Sequence, residues 1–357
     1  MIVPATRRRF PWRRPLGRAR TLVHTSGLAA ALVVAVGNVE VDLDLDLGRG
    51  LGLGLGLSLT PATARAAPAD DPRVPLTENF SRLELVTTGT VAIAGVLALA
   101  VSPRIWQPTP SIGPPEPSSF DRRVSDELYQ AHGTGARFWG GVPDRAGLFV
   151  LPYLPAVFYG GEALWRARTG RTFFEGGDQN PDHRFVAYAE ALGWTALLNG
   201  VTKVVVGRAR PYVVLNHPEL ARARSEDNVS FFSSHSSAMF CTASFVALDA
   251  SDTLHWRVLA DAPPVERFLV GTLVPYAVSF GVASLVSVSR IIDQQHWASD
   301  VIVGAGVGTL VAHLAYVAHF DHRGRPRRRL GADAPPPAAT LRVVPTGNGL
   351  ALAGLLP

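Results

Sequence analysis

Lysine is almost missing from this 357-residue chain: of 34 basic residues only Lys203 is a lysine. Cysteine is down to Cys241, which excludes an internal disulfide and leaves the redox compartment unread. Charged residues make up only 18% against 47% hydrophobic, so a disordered chain is excluded, as are a collagen and a disulfide scaffold. The net charge of +5 raises nucleic acid as a partner, but outside the termini no basic block is interleaved with aromatics, which argues against it. Strands and helices do not visibly alternate, and no Asp/Glu cluster suggests a divalent metal.

What is present is apolar sequence in long blocks. Six segments are long enough, or nearly so, to be membrane helices, at roughly 84–101, 146–164, 186–206, 236–250, 268–288 and 301–320. Pro152, Pro155 and Pro275 fall inside them, as a membrane bundle tolerates. Arginines 166, 168, 171 and 184 in one loop, and 323, 325 and 327–329 in the tail, predict that both lie in the cytoplasm. By parity the ends of the third segment and the starts of the fourth and sixth meet on the outer face. Before these helices, residues 1–66 read as a leader: Arg7, Arg8 and Arg9, a short apolar run Gly27–Gly37, a Leu-Asp and Leu-Gly repeat at Val41–Leu59 read as unpacked, and an export-like Ala64-Arg65-Ala66. A cleaved leader would put residue 67 outside, which conflicts with six spans; either the leader stays inside or one segment does not cross. The expected division is a leader at 1–66, a linker at 67–83, a membrane domain at 84–322 and a basic, Pro-rich tail at 323–357.

Three clusters fall on the predicted outer face. In the first, six residues separate Lys203 from Arg210-Pro211, so both cations return to one helix face and converge on one anion; alone, they also read as interfacial anchors. A lone ammonium in an arginine-rich chain suggests a need for a compact point charge. The second, Ser230-Phe231-Phe232-Ser233-Ser234-His235-Ser236, offers helix-start N–H groups, hydroxyls and an imidazole for proton transfer, or else a capped helix with an exposed histidine. The third is Ser289-Arg290, five residues, His296, three residues, Asp300. Here Arg290 is a fork for phosphate oxygens, and Asp300 shares a helical face with His296, where a carboxylate fixes the tautomer and leaves the other nitrogen to attack. The plain alternative is an i,i+4 pair at a helix entry.

Together the clusters resemble the type 2 phosphatidic acid phosphatase superfamily, whose signature is K-x6-R-P, P-S-G-H and S-R-x5-H-x3-D in that order. The first and third are complete here, and the six-segment layout extends the resemblance to the integral-membrane lipid phosphatase branch. It implies an all-α transmembrane bundle of six helices in the inner membrane, with the site on its periplasmic or extracellular face. It also implies a metal-independent phosphatase with no cofactor, acting on a lipid phosphate or isoprenyl diphosphate. By that resemblance Lys203, Arg210, Ser233, the Ser234 backbone N–H and Arg290 bind phosphate, His296 forms a phosphohistidine, Asp300 orients His296, and His235 protonates the leaving oxygen.

The middle motif departs from the pattern, with Phe232 for Pro and Ser234 for Gly, and the Cβ of Ser234 either strains the backbone or merely adds a hydroxyl. Two other functions share such a pocket: a non-catalytic lipid-phosphate-binding membrane protein and a vanadium-dependent haloperoxidase. Cys241 is read as a core residue, and His255, His313 and His319 as packing or interfacial residues. Trp106, Trp139, Trp165, Trp194, Trp256 and Trp297 are read as interfacial anchors. Asp293, Gln294 and Gln295 are open to substrate contact, and the oligomeric state is not readable.

Overall fold

The computed structural model describes residues 39–42, 58–61, 73–105, 117–132, 138–173, 180–217, 226–328, 340–346 and 349–355. The chain divides into two compact units, 1–65 and 66–357. In the first, the flanks of the low-complexity repeat, β1 (Val39–Asp42) and β2 (Ser58–Pro61), pair antiparallel, with Val39 opposite Pro61. Residues 43–57, most of the repeat expected to be unpacked, lie outside the described residues. The apolar run Gly27–Gly37, Ala64-Arg65-Ala66 and Trp106 lie outside the described residues.

The second unit is a helical bundle. Its longer helices are α1 (Arg82–Ile105), α2 (Ser119–His132), α3 (Val142–Phe149), α4 (Leu154–Thr169), α5 (Pro181–Val206), α6 (Ser234–Thr253), α7 (Val274–Ile292) and α8 (Ala298–His319). Prolines set several starts: Pro143, Pro155 and Pro181 occupy first-turn positions, where the missing N–H costs nothing, whereas Pro275 lies inside the continuous stretch 264–292, just after a π-helical turn at Leu269–Leu273. Pro152 sits in a 3-10 turn that divides the second apolar segment into α3 and α4. In the tail, β3 (Thr340–Thr346) and β4 (Gly349–Leu355) form an antiparallel pair.

All six apolar segments are helical. Among the described residues four helical stretches are long and apolar enough to cross a membrane: 82–101, 138–169, 264–292 and 298–319. The other two, α5 and α6, hold the polar groups of the bundle. Thr195, Asn199 and Lys203 on α5, and His235, Thr242 and Asp249 on α6, are all buried. Such side chains lower the hydropathy of a helix and require partners, so α6 lies among the other helices, and α5 turns its polar face inward while Trp194, Leu198, Val201 and Val205 stay exposed on the other. Accordingly α6 packs against α3, α5, α7 and α8, and α1 lies along α5. The outer faces are apolar, with Leu83, Ile93 and Leu97 of α1 and Ile302, Leu310 and Leu314 of α8 exposed.

Lipid supplies no hydrophobic force between helices, so close packing and hydrogen bonds must hold them together. The main core joins Tyr159 of α4, Tyr188 of α5, Cys241 and Phe245 of α6 and Tyr316 of α8. The Tyr188 hydroxyl donates to the Pro152 carbonyl at 2.6 Å. Between α6 and α8 the approach is closer: a Cβ at Gly304 would lie 2.8 Å from the Ser233 carbonyl oxygen, and one at Gly308 would collide with that of Ser237. These two glycines, four apart, bring the start of α8 against the start of α6. At the opposite end Arg184 donates to Asp249 at 2.5 Å and to the Gly324 carbonyl at 3.1 Å, so the arginine-rich loop and tail share one end of the bundle.

Candidate active site

The end of the bundle away from Arg184 collects all three clusters. Gly207, at φ 60°, terminates α5, and its N–H bonds to the Lys203 carbonyl at 3.2 Å. A left-handed cap suits glycine, and it turns the chain back so that Arg208 and Arg210 point into the bundle. Ser233 caps α6 by accepting from the Ser236 N–H at 3.3 Å. α7 ends at Ile292, and a tight turn, with Gln294 at φ 56°, delivers His296 just before α8. The side chains of Lys203, Arg210, Ser233, His235, Arg290, His296 and Asp300 are all buried, Ser234 partly so.

The pocket is internally paired. Lys203 Nζ donates to the Val229 carbonyl. Arg210 donates to the carbonyls of Glu226 at 2.8 Å and Gln295 at 3.2 Å, and to Gln295 Oε1 at 3.0 Å. Arg290 Nη1 lies 2.6 Å from Asp144 Oδ1, which is itself 3.1 Å from His235 Nε2. His235 Nε2 also bonds to the Asp144 carbonyl at 3.0 Å.

His296 Nδ1 bonds to the Ser230 carbonyl at 2.7 Å. A carbonyl only accepts, so the proton is on Nδ1 and the lone pair is on Nε2. Burial, then the charges of Arg210, Lys203, Arg290 and His235, push the His296 pKa well below the ordinary imidazole value. His235, at the mouth of α6, is lowered to about 4 by burial and then by Arg290, against the opposing pull of Asp144. Burial and the surrounding cations thus favour the neutral form of both imidazoles.

One expected contact is corrected. Asp300 does face His296, but its Oδ2 is 3.8 Å from Nδ1, and the tautomer is held by Ser230 instead. The carboxylate is occupied elsewhere: Ser230 Oγ donates to it at 2.5 Å, the Trp297 N–H at 2.9 Å and Arg208 Nη1 at 2.5 Å. Trp297 is also corrected, since it is fully buried, with Nε1 bonded to the Ala209 carbonyl at 2.9 Å. Trp139, Trp165, Trp194 and Trp256 are exposed, and Cys241 is in the core. Asp293, Gln294 and Gln295 brace the site: Asp293 accepts from the Phe138 N–H at 2.7 Å, and Gln294 accepts from the Ser125 hydroxyl at 2.8 Å.

The two departures in the middle motif have a local answer. Ser234 opens α6 and is not among the described residues with positive φ, so its Cβ brings no backbone strain. Asn199 braces the turn from α5, donating to the Phe232 carbonyl at 2.7 Å and accepting from the Ser234 hydroxyl at 2.8 Å. Asn199, Asp144 and Arg208 escaped the sequence reading. Asp144 and Asn199 lie outside every motif, and Arg208 is one arginine among many; its place between Lys203 and Arg210 was the available signal.

Comparison with known proteins agrees with this geometry. The PAP2 superfamily model matches residues 184–323. A PA-phosphatase related-family protein of Dictyostelium discoideum is 30% identical over 39% of this chain and 49% of its own length. Phospholipid phosphatase 2 of Rattus norvegicus is 31% identical over 34% of this chain and 49% of its own. Lipid A 1-phosphatase of Porphyromonas gingivalis is 32% identical over 24% of this chain and 16% of its own. The match thus spans about half the length of the first and second of these relatives. The crystal structure of a transmembrane PAP2 type phosphatidylglycerolphosphate phosphatase from Bacillus subtilis aligns with 65% of this chain and 94% of its own, at 20% identity and a TM-score of 0.40. The span that resembles the PAP2 superfamily, residues 184–323, contains Lys203, Arg210, Ser233, His235, Arg290, His296 and Asp300.

Proposed function

We propose that the chain is a membrane phosphatase that hydrolyses a lipid phosphate or isoprenyl diphosphate through a phosphohistidine. The observation that carries this reading is the protonated Nδ1 of His296, bonded to Ser230, which leaves the Nε2 lone pair available while Lys203, Arg210 and Arg290 all bear on the ring. Two of the similar proteins are named as a phospholipid phosphatase and a lipid A phosphatase, which supports a lipid phosphate as substrate.

In the reaction, Lys203, Arg210, Arg290, Ser233 and the Ser234 N–H hold the phosphoryl oxygens. His296 Nε2 attacks phosphorus in line, the bond to the leaving oxygen breaks, and His235 gives that oxygen a proton. Water then attacks the phosphohistidine, His235 takes its proton, and inorganic phosphate leaves with His296 restored. The cations balance the transition-state charge, so no metal is required.

The arginine-rich loop and tail share the end of the bundle opposite the site. The excess of basic residues supports a cytoplasmic position for that end, and hence a pocket on the outer face of an inner membrane. The test is phosphate release in detergent with EDTA, on a panel of lipid phosphates and diphosphates, with wild type and His296→Ala. Turnover that survives EDTA and disappears in the variant supports the reading. A wild type that binds a lipid phosphate without turnover, or that oxidises bromide with added vanadate, overturns it.

A further inference from the structure

Arg208 lies between the two cations of the first motif, and its guanidinium joins three elements. Nη1 donates to Asp300 Oδ1 at 2.5 Å and to Ser299 Oγ at 2.8 Å, both in the first turn of α8. Nη2 donates to Asp121 Oδ2 at 2.8 Å, in the first turn of α2. The plane sits 5.7 Å from the Trp297 ring centroid, and the residue is 5% exposed. Asp121 in turn accepts from the N–H and the hydroxyl of Ser299, each at 2.9 Å. A fork that meets two carboxylates at once suits a guanidinium and not an ammonium.

We propose that Arg208 is a positioning residue of this site: it draws the Asp300 carboxylate away from His296, leaving the Ser230 carbonyl to set the tautomer, and fastens α2 to the start of α8. With Oδ1 taken by Arg208 and Oδ2 by Ser230 and Trp297, Asp300 stands 3.8 Å from Nδ1. Loss of Arg208 frees the carboxylate to turn toward the ring and deletes a nearby positive charge.

Both changes favour imidazolium. The groups that face the ring are Lys203 of α5, Arg210 after it, His235 of α6, Arg290 of α7 and Asp300 of α8. Behind them Asp121 of α2 pairs with Arg208, Asp144 of α3 with Arg290, and Glu226 with Arg210 at 3.3 Å. Only the Arg208 exchange releases a carboxylate already beside the ring.

The kinetic consequence rests on the phosphatase reading, in which the nucleophile must be neutral. Activity is then lost as pH falls through the His296 pKa, and a raised pKa moves that acid limb to higher pH. The experiment uses the full chain in detergent micelles. It records kcat/KM against pH for an alkyl phosphate, and a 15N-histidine NMR titration with the His296 signal assigned through His296→Gln. Arg208→Gln is expected to raise both midpoints by about one unit or more, a loss of about tenfold in kcat/KM one unit below the wild-type midpoint. Arg208→Lys should fall between, since one ammonium reaches one carboxylate, and Asp121→Asn should move the midpoint by less than half as much.

Unmoved midpoints in Arg208→Gln, with a lower Tm and activity reduced equally at every pH, mean a purely structural role and overturn the proposal. If that variant does not fold, the Arg208→Lys titration decides in the same way. A wild type that releases no phosphate sinks the phosphatase reading, while the NMR midpoints still decide the role of Arg208.

Discussion

Replacement of Asp144 by asparagine separates the proton-donating half of the mechanism from the nucleophilic half. The side chain keeps its shape, the backbone carbonyl that receives His235 Nε2 is untouched, and one negative charge disappears 3.1 Å from that nitrogen. At an effective dielectric constant near 20, two unit charges at that separation interact by about 5 kcal/mol, an upper bound because solvent and Arg290 share the field. Measured effects of a single opposite charge are smaller, about one to three pKa units. Asp144 already works against burial and the Arg290 charge, and without it the His235 pKa falls further below about 4. The population of imidazolium able to protonate a leaving group then drops about 10- to 1000-fold. An alkoxide needs that proton, whereas p-nitrophenolate departs without it. The assay is kcat for a short alkyl phosphate and for p-nitrophenyl phosphate with wild type and Asp144→Asn. The expected result is a fall of about 10-fold or more on the alkyl ester and of about threefold or less on the aryl ester. Equal losses on both would refute the reasoning, since a disturbed pocket has no means of sensing the leaving group.

Two further outcomes follow from the packing. Ser234→Gly is expected to change kcat/KM by less than about threefold, because Ser234 has no positive φ to relieve and loses only its bond to Asn199, worth about 1 kcal/mol; a tenfold gain would show that the Cβ obstructs phosphate. Gly308→Leu should cost at least about 1–3 kcal/mol by forcing α8 off α6, seen as a lower Tm or loss of the monodisperse peak in detergent, whereas Gly306→Leu, with nothing within 4 Å of its Cβ position, should behave as wild type.

Much of this was legible because membrane helices and spaced motifs are local signals. The six apolar segments all became helices, and of the prolines read as interior to them Pro275 is so, while Pro155 opens α4. Lys203 and Arg210 do meet at one end of the bundle, but not from one helix face as their spacing predicted: α5 ends at Val206 and Arg210 is extended beyond the turn at Gly207, and His296 likewise precedes α8 rather than lying on it. What the spacing could not carry was competition for a partner. Asp300 is within reach of His296, yet Arg208 and Ser230, distant in sequence, bind it more closely. Asp144 was invisible for a similar reason: it enters the site only because α3 packs so close that a Cβ at Gly147 would collide with Val286 of α7. Helical propensity was likewise separable from lipid exposure. The buried polar residues of α5 and α6 barely interrupt a helical pattern, but they decide which helices face lipid.

The internal pairing of the pocket changes the meaning of affinity there. Lys203 is engaged by Val229, Arg210 by Glu226 and Gln295, and Arg290 by Asp144, so a phosphate that enters trades these bonds for its own. Occupancy is an exchange reaction, and its free energy is a difference between two sets of charge-assisted contacts. Leaving is the same exchange in reverse, with the displaced carbonyls and carboxylates ready to take the cations back. On the proposed reading, inorganic phosphate has no hydrocarbon tail to offset the trade, so the pocket would discard it more readily than it gives up a lipid.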